Sequence, residues 1–241
     1  MIASKGRCTF PMLHFDCVQG RTENGLRIVA LPGAFRSRSD LAHLAFSVAS
    51  LLGEGSHPVR GVVLSEFNFR SGDRAFWPEL SEQVAELISP GDIIIADSMG
   101  GAVAALLPQN LREEVSLLLR RPPIIGVARL DPKGPVQKIY AAWLRKVSAG
   151  EYDKVRDSII AENPDYPGGV GIAPEPSTLT QVLQDFMVSN VELRDKAPRN
   201  WILIEGGQDE FFHPRSALDE WANWGMPVTT NVPEAVRALF N

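Results

Sequence analysis

Apolar residues along the chain fall into two patterns that alternate. One is a short continuous block bounded by Gly, Pro or polar residues: Leu26–Leu31 (LRIVAL), Gly61–Phe67 (GVVLSEF), Asp92–Ala96 (DIIIA), Pro123–Leu130 (PIIGVARL) and Trp201–Glu205 (WILIE). Blocks that are apolar at consecutive positions predict strands buried on both faces, as in a parallel sheet. The other pattern spaces apolar residues three or four apart, at Asp40–Leu52, Pro78–Ile88 and Gly100–Leu107. These predict helices, the first capped by Ser39 or Asp40 and the second stopped by Pro90-Gly91. A strand-like segment, Met12–Val18, precedes them. Strands alternating with helices predict an α/β fold with a mostly parallel central sheet and helices on both faces.

From Lys133 to Arg194 the alternation stops. Helical patterns at Val136–Val147, Tyr152–Ala161 and Leu179–Val191 surround a Pro/Gly-rich stretch, Asn163–Pro176. The expectation is a core built from residues 1–132 and 195–241 with a helical cap inserted at 133–194. A long ordinary crossover is the alternative. No repeat of about 20 to 50 residues is visible, which argues against a solenoid or propeller.

The segment richest in chemistry is Ile93-Ile94-Ile95-Ala96-Asp97-Ser98-Met99-Gly100-Gly101-Ala102. A buried strand runs into a sharp turn and then into a helix of small residues. A serine at such a turn takes a strained backbone, so its neighbours two positions away must be small; Ala96 and Gly100 meet that need. The hydroxyl then stands at a helix N-terminus, where N–H groups favour developing negative charge. The plainer alternative is a strand followed by a helix that Ser98 merely caps.

This segment resembles the nucleophile elbow of the α/β-hydrolase superfamily, with Ala96 in place of the usual Gly. The resemblance extends from Leu26 to Phe240. Leu31-Pro32-Gly33-Ala34-Phe35 is similar to the oxyanion loop, and Phe69–Asp73 to the loop before the helix that leads to the elbow strand. Ile202–Asp209 resembles the strand and Gly-x-x-Asp turn that deliver the catalytic acid, and Val232–Phe240 the closing helix. It implies an α/β-hydrolase fold with Ser98 as nucleophile, Asp209 as acid, and the amides of Met99 and Ala34 as oxyanion donors. Losing one such donor costs about 3 kcal/mol of transition-state stabilisation.

A serine also needs a base. The superfamily places a His before the closing helix, but Met226–Pro233 contains none and carries Asn231 there instead. An amide has no usable basicity at neutral pH. Of the four histidines, His14 lies in the N-terminal strand-like segment, His43 on the first helix and His57 in a turn before the second strand. His213, four residues past Asp209, is the one that can reach Ser98; the alternative is that it only opens the next helix. Asp131, after the block Pro123–Leu130, is a reserve acid, since thioesterase-type members of the superfamily place theirs after an earlier strand.

Composition narrows the function classes. The 241 residues are 44% hydrophobic and 22% charged, ordinary for a globular chain. A net charge of −5 argues against a general nucleic-acid binder. Cys8 and Cys17 are the two cysteines, which excludes a disulfide-dense secreted scaffold and favours a reduced cytoplasmic setting. Their spacing with His14 matches no standard zinc pattern, and neither a phosphate-binding P-loop nor a dinucleotide fingerprint occurs. No cofactor or metal is therefore expected, nor a signal peptide or membrane span. Arg36 and Arg38 follow the oxyanion-like loop, and Arg70 and Arg74 flank the next. They predict selection of an anionic substrate such as a carboxylate or a carrier-linked acyl group; a solvated rim paired to Asp40, Glu66 and Asp73 is the alternative.

The functional expectation is a serine hydrolase or acyltransferase acting on an ester or thioester through an acyl-enzyme. The partner is a small-molecule acyl substrate, with a homodimer left open. Two alternatives remain: a member lacking a complete triad that serves as a binding or interaction protein, and a non-hydrolytic lyase or cyclase.

Overall fold

A computed structural model describes residues 12–17, 27–31, 33, 45, 47–52, 59–64, 76–123, 145–146, 149–151, 154, 196–206 and 215–240. Within them the elements run β1 (Met12–Cys17), β2 (Ile28–Leu31), β3 (Val59–Leu64), α1 (Phe76–Ala85), β4 (Ile93–Asp97), α2 (Met99–Ala105), α3 (Gln109–Glu114) and β5 (Ser116–Arg120). After these come β6 (Trp201–Ile204), α4 (Arg215–Asn223), β7 (Val228–Thr229) and α5 (Val232–Ala238). Residues 45 and 47–51 are also helical.

The strands form one seven-stranded sheet in the order β1-β3-β2-β4-β5-β6-β7. Edge strand β1 is antiparallel to β3 and every other pairing is parallel. The apolar blocks are continuous because both faces are covered. Val29, Leu31, Ile94, Ala96, Leu117, Leu119 and Leu203 face a core that includes Val84, Val103, Leu218 and Trp221 from α1, α2 and α4. The alternate residues Ile28, Ala30, Ile93, Ile95, Leu118 and Ile202 face a second core with Ala45, Val48, Ala235 and Val236. Successive side chains point to opposite faces, so one residue of slip would exchange the two cores. Each fully buried aliphatic side chain contributes about 1.5–3 kcal/mol.

The first core is extended by three tryptophans. Trp224 packs edge-on against Trp201 and Trp221, with ring centroids 5.7 and 5.8 Å apart. Their polar edges are satisfied: the Trp221 indole N–H donates to the Pro123 carbonyl at 2.8 Å and that of Trp201 to the Arg112 carbonyl at 3.2 Å. Ser81 on α1 donates to the Val103 carbonyl at 3.0 Å, locking α1 onto α2.

One strand differs from the sequence expectation. Ser116–Arg120, which the apolar blocks did not single out, is the strand between β4 and β6; Pro123 is not in a strand, and 124–130 lie outside the described residues. A run of leucines directly after a helix carries no β-branched signal. The switch happens at one residue, Val115, whose φ −113° and ψ 152° are extended. Two smaller shifts accompany it: β3 begins at Val59 and α2 at Met99. Most of 133–194 lies outside the described residues. The parallel neighbours β5 and β6 are nonetheless joined through residues 121–200, far more chain than the dozen or so residues a crossover needs.

Candidate active site

Parallel strands β4, β5 and β6 all end at the same edge of the sheet, and Ser98 stands there between β4 and α2. Its backbone has φ 48° and ψ −112°, a region L-residues rarely occupy. Holding a serine there costs on the order of 1–3 kcal/mol, so the surroundings must enforce it. Four contacts do so. The Ser98 N–H donates to the Arg120 carbonyl at 3.0 Å, and its carbonyl accepts from the Gly101 N–H at 2.8 Å. Gly100 lies so close to β2 that a Cβ there would come within 2.6 Å of the Leu31 carbonyl oxygen. A Cβ on Gly101 would come within 2.4 Å of a Leu119 methyl. The small residues of the motif are thus required by the close approach of α2 to β2 and β5. Ser98 occupies the N-cap position of α2 but makes no side-chain cap bond to it.

Gly33, just beyond β2, is buried against the elbow. A Cβ on it would meet Asp97 Oδ2 at 2.9 Å and Ser98 Cβ at 3.2 Å. The loop after β2 therefore starts in contact with Ser98. Met99 opens α2, and the first amides of a helix have no intrahelical acceptor.

No protein-family sequence model matches the chain, and no curated protein does. Solved structures do. A hydrolase from Pseudomonas aeruginosa aligns with a TM-score of 0.65 at 12% identity, over 95% of this chain and 94% of that one. A carboxylesterase from the ammonia-oxidizing thaumarchaeon Nitrososphaera aligns with a TM-score of 0.60 at 12% identity, over 95% and 91%. The bottromycin epimerase BotH aligns with a TM-score of 0.60 at 14% identity, over 94% and 90%.

The chain has the α/β-hydrolase fold.

In an α/β-hydrolase fold with this strand order, the positions implied for acid and base follow β6 and β7. Strand β6 lies two places from β4, about 10 Å at the usual strand spacing. Asp209 and His213 lie outside the described residues, but the stems of their loop are described. Glu205 and Arg215 pair across it, tying the end of β6 to the start of α4. The Glu205 hydrogen bond raises the Arg215 pKa above its ordinary value. Ala34, Arg36, Arg38, Arg70, Arg74, His43, His57 and Asp131 also lie outside the described residues. His14 is on β1, three strand positions from β4 and so roughly 14 Å away at the backbone.

Asn231 has a structural task. It is the N-cap of α5: its Oδ1 accepts the Glu234 N–H at 2.9 Å and its Nδ2 donates to Thr230 Oγ1 at 2.9 Å. Glu234 reaches back to accept from the Thr230 N–H at 2.8 Å and hydroxyl at 2.7 Å. Those two bonds hold the Glu234 carboxyl below its ordinary pKa.

Sequence reasoning missed Asp97. This residue, directly before Ser98, is 1% exposed. Its Oδ1 accepts from Arg120 Nε and from Arg121 Nε, both at 3.1 Å. Arg121 is itself buried and has φ 49°; Ser98 and Arg121 are the non-glycine residues with positive φ among those described. Two positive-φ residues, each just past the end of one of two adjacent strands, thus flank one buried carboxylate. The available signal was an aspartate ending an otherwise apolar strand, followed along the chain by Arg120-Arg121 after the next apolar block.

Proposed function

We propose that the chain is a serine hydrolase or acyltransferase that acts on an ester or thioester through an acyl-enzyme at Ser98. The observation that carries this reading is the strained Ser98 backbone, held by close glycine contacts, with a side chain that makes no cap bond to the helix it opens. Backbone strain of this kind concentrates where geometry serves chemistry. Ser98 Oγ attacks the acyl carbonyl, and His213 takes its proton and returns it to the leaving group. Asp209 orients the imidazole, and the Met99 and Ala34 amides hold the tetrahedral oxyanion. Water or another acceptor then resolves the acyl-enzyme. The contact of Gly33 with Ser98 supports the role given to Ala34, and the Glu205–Arg215 tie supports a loop over this edge for Asp209 and His213. Residues 133–194 form the cap within the excursion between β5 and β6. Arg36 and Arg38 favour an acyl substrate with an anionic or carrier-linked end. Hydrolase and carboxylesterase neighbours of the same fold agree with this reaction class.

Turnover of short-chain aryl esters and acyl thioesters tests the proposal. Ser98→Ala should abolish it, and His213→Ala should lower it by about 10²–10⁴-fold with the fold intact. Unchanged turnover in His213→Ala would remove that residue from the triad. The second reading, a protein without a complete triad, is favoured by the commitment of Asn231 to capping α5. A folded native protein with no turnover on any ester or thioester would select it.

A further inference from the structure

A second concave site lies at the opposite edge of the sheet, where β5 and β6 begin. A cavity of about 360 Å³ opens there between α3 and residues 196–200, a size suited to a small ligand. It is separated from Ser98 by the length of the strands, roughly 16 Å for the five residues of β5. Its frame is well fastened. Asn200 Nδ2 donates to the Val115 carbonyl at 2.6 Å, the Trp201 indole to the Arg112 carbonyl at 3.2 Å, and the Ala197 N–H to the Trp224 carbonyl at 3.2 Å.

Its charge is opposite to that of the chain. Arg112, Lys196 and Arg199 line the cavity with a single carboxylate, Glu113, which accepts from Gln109 Nε2 at 3.2 Å. The local balance is two positive charges in a chain of net charge −5. Among the described residues no ion pair or hydrogen bond engages the Lys196 or Arg199 side chain. Arg112 spends one amino group on the Ala105 carbonyl at 3.2 Å. Its buried Nε has no partner, alone among the buried side-chain nitrogens and oxygens described. A buried donor left unmade is costly, and a ligand oxygen that drew the guanidinium into the cavity would relieve it.

We propose that this cavity binds a phosphate dianion, free or as the phosphate monoester of a small molecule, apart from the acyl substrate. Two negative charges balance the local excess. The tetrahedral oxygens can meet donors that arrive from two directions, α3 on one side and residues 196–200 on the other, where a planar carboxylate meets fewer.

Calorimetric titration of the full chain at constant ionic strength, with inorganic phosphate and with glycerol 3-phosphate, tests the proposal. The expected result is saturable one-site binding above a sodium chloride control; the tighter of the two probes identifies free or esterified phosphate. The doubly substituted Lys196→Ala/Arg199→Ala chain should bind at least about tenfold more weakly. Those side chains are exposed, so its melting without phosphate should match the native protein. Arg112→Lys, which keeps charge and loses the fork, should also weaken binding. Ser98→Ala should bind like the native chain, which separates this site from the reading of the elbow. No saturable binding by the native protein, or undiminished binding in both variants, would overturn the assignment.

Discussion

Strand β4 has a buried aspartate at each end, and the two are built differently. Asp92, just before the strand, is 3% exposed and accepts from Arg27 Nε at 2.9 Å and from the Ser89 N–H at 2.7 Å. Arg27 also donates to the Leu87 carbonyl and to Ser89 Oγ, each at 2.9 Å. The one positive φ beside it, 83°, falls on Gly91, where a glycine takes it without strain. Asp97, at the other end, is met by two consecutive arginines, and the residues beside it, Ser98 and Arg121, carry positive φ angles without being glycine. The same pairing of carboxylate and guanidinium thus closes a quiet sheet edge at one end and braces a strained one at the other. The lesson is that a buried ion pair is not by itself a mark of function. Strain held in place beside it is the stronger mark.

That contrast can be broken by paired substitutions. Asp97→Asn and Asp92→Asn each remove the charge that faces buried or half-buried arginine, and each should cost about 3 kcal/mol. Melting should drop by roughly 6–12 °C in both. Measured well below those midpoints, reaction of Ser98 with a serine-directed phosphonate should slow by about 10²-fold in Asp97→Asn, because the elbow is no longer braced. It should be unchanged in Asp92→Asn. Equal slowing in both, or in neither, would dissolve the distinction between the two ends.

A smaller effect is expected at the cap of α5, a backbone tie with no strain attached. Asn231→Ala should lose about 1 kcal/mol in urea unfolding and leave Ser98 reactivity untouched. Slower labelling in this variant would mean that Asn231 serves the site as well as the helix. The smallest effect concerns Glu234, whose carboxyl is held below its ordinary value of 4.5 by Thr230. Its folded pKa is depressed, so its contribution is full above the ordinary value and is lost as pH falls through the lowered one. The native protein should be slightly more stable than Glu234→Gln at neutral pH, with the difference gone well below 4.5. A difference that persists in acid would assign the effect to the neutral side chain.

Much of this architecture was legible because both faces of the sheet are buried. Continuous blocks such as Ile93-Ile94-Ile95 can be nothing but interior strand when bounded by Gly91 and a small-residue helix. The elbow was legible for a steric reason, since only small residues fit where α2 passes Leu31 and Leu119. Strand β5 was not, because Leu117-Leu118-Leu119 follows closely on a helix and leucine is itself a strong helix former. Nor was the brace at Asp97. Its partners are 23 and 24 residues away along the chain and meet it only because β5 pairs with β4 in the register that sets Arg120 opposite Asp97. Register between strands is a tertiary fact that periodicity does not carry. The role of Asn231 was half legible: its lack of basicity follows from chemistry, while its use as a cap needed the position of α5.

Under the proposed function, the strained backbone makes Ser98 a nucleophile. Treating the folded native chain with a fluorophosphonate and measuring intact mass, followed by peptide mapping, tests it most directly. One adduct per chain is expected, located on Ser98 and absent from Ser98→Ala. A folded native chain that takes up no label, or takes it at another residue, would contradict it.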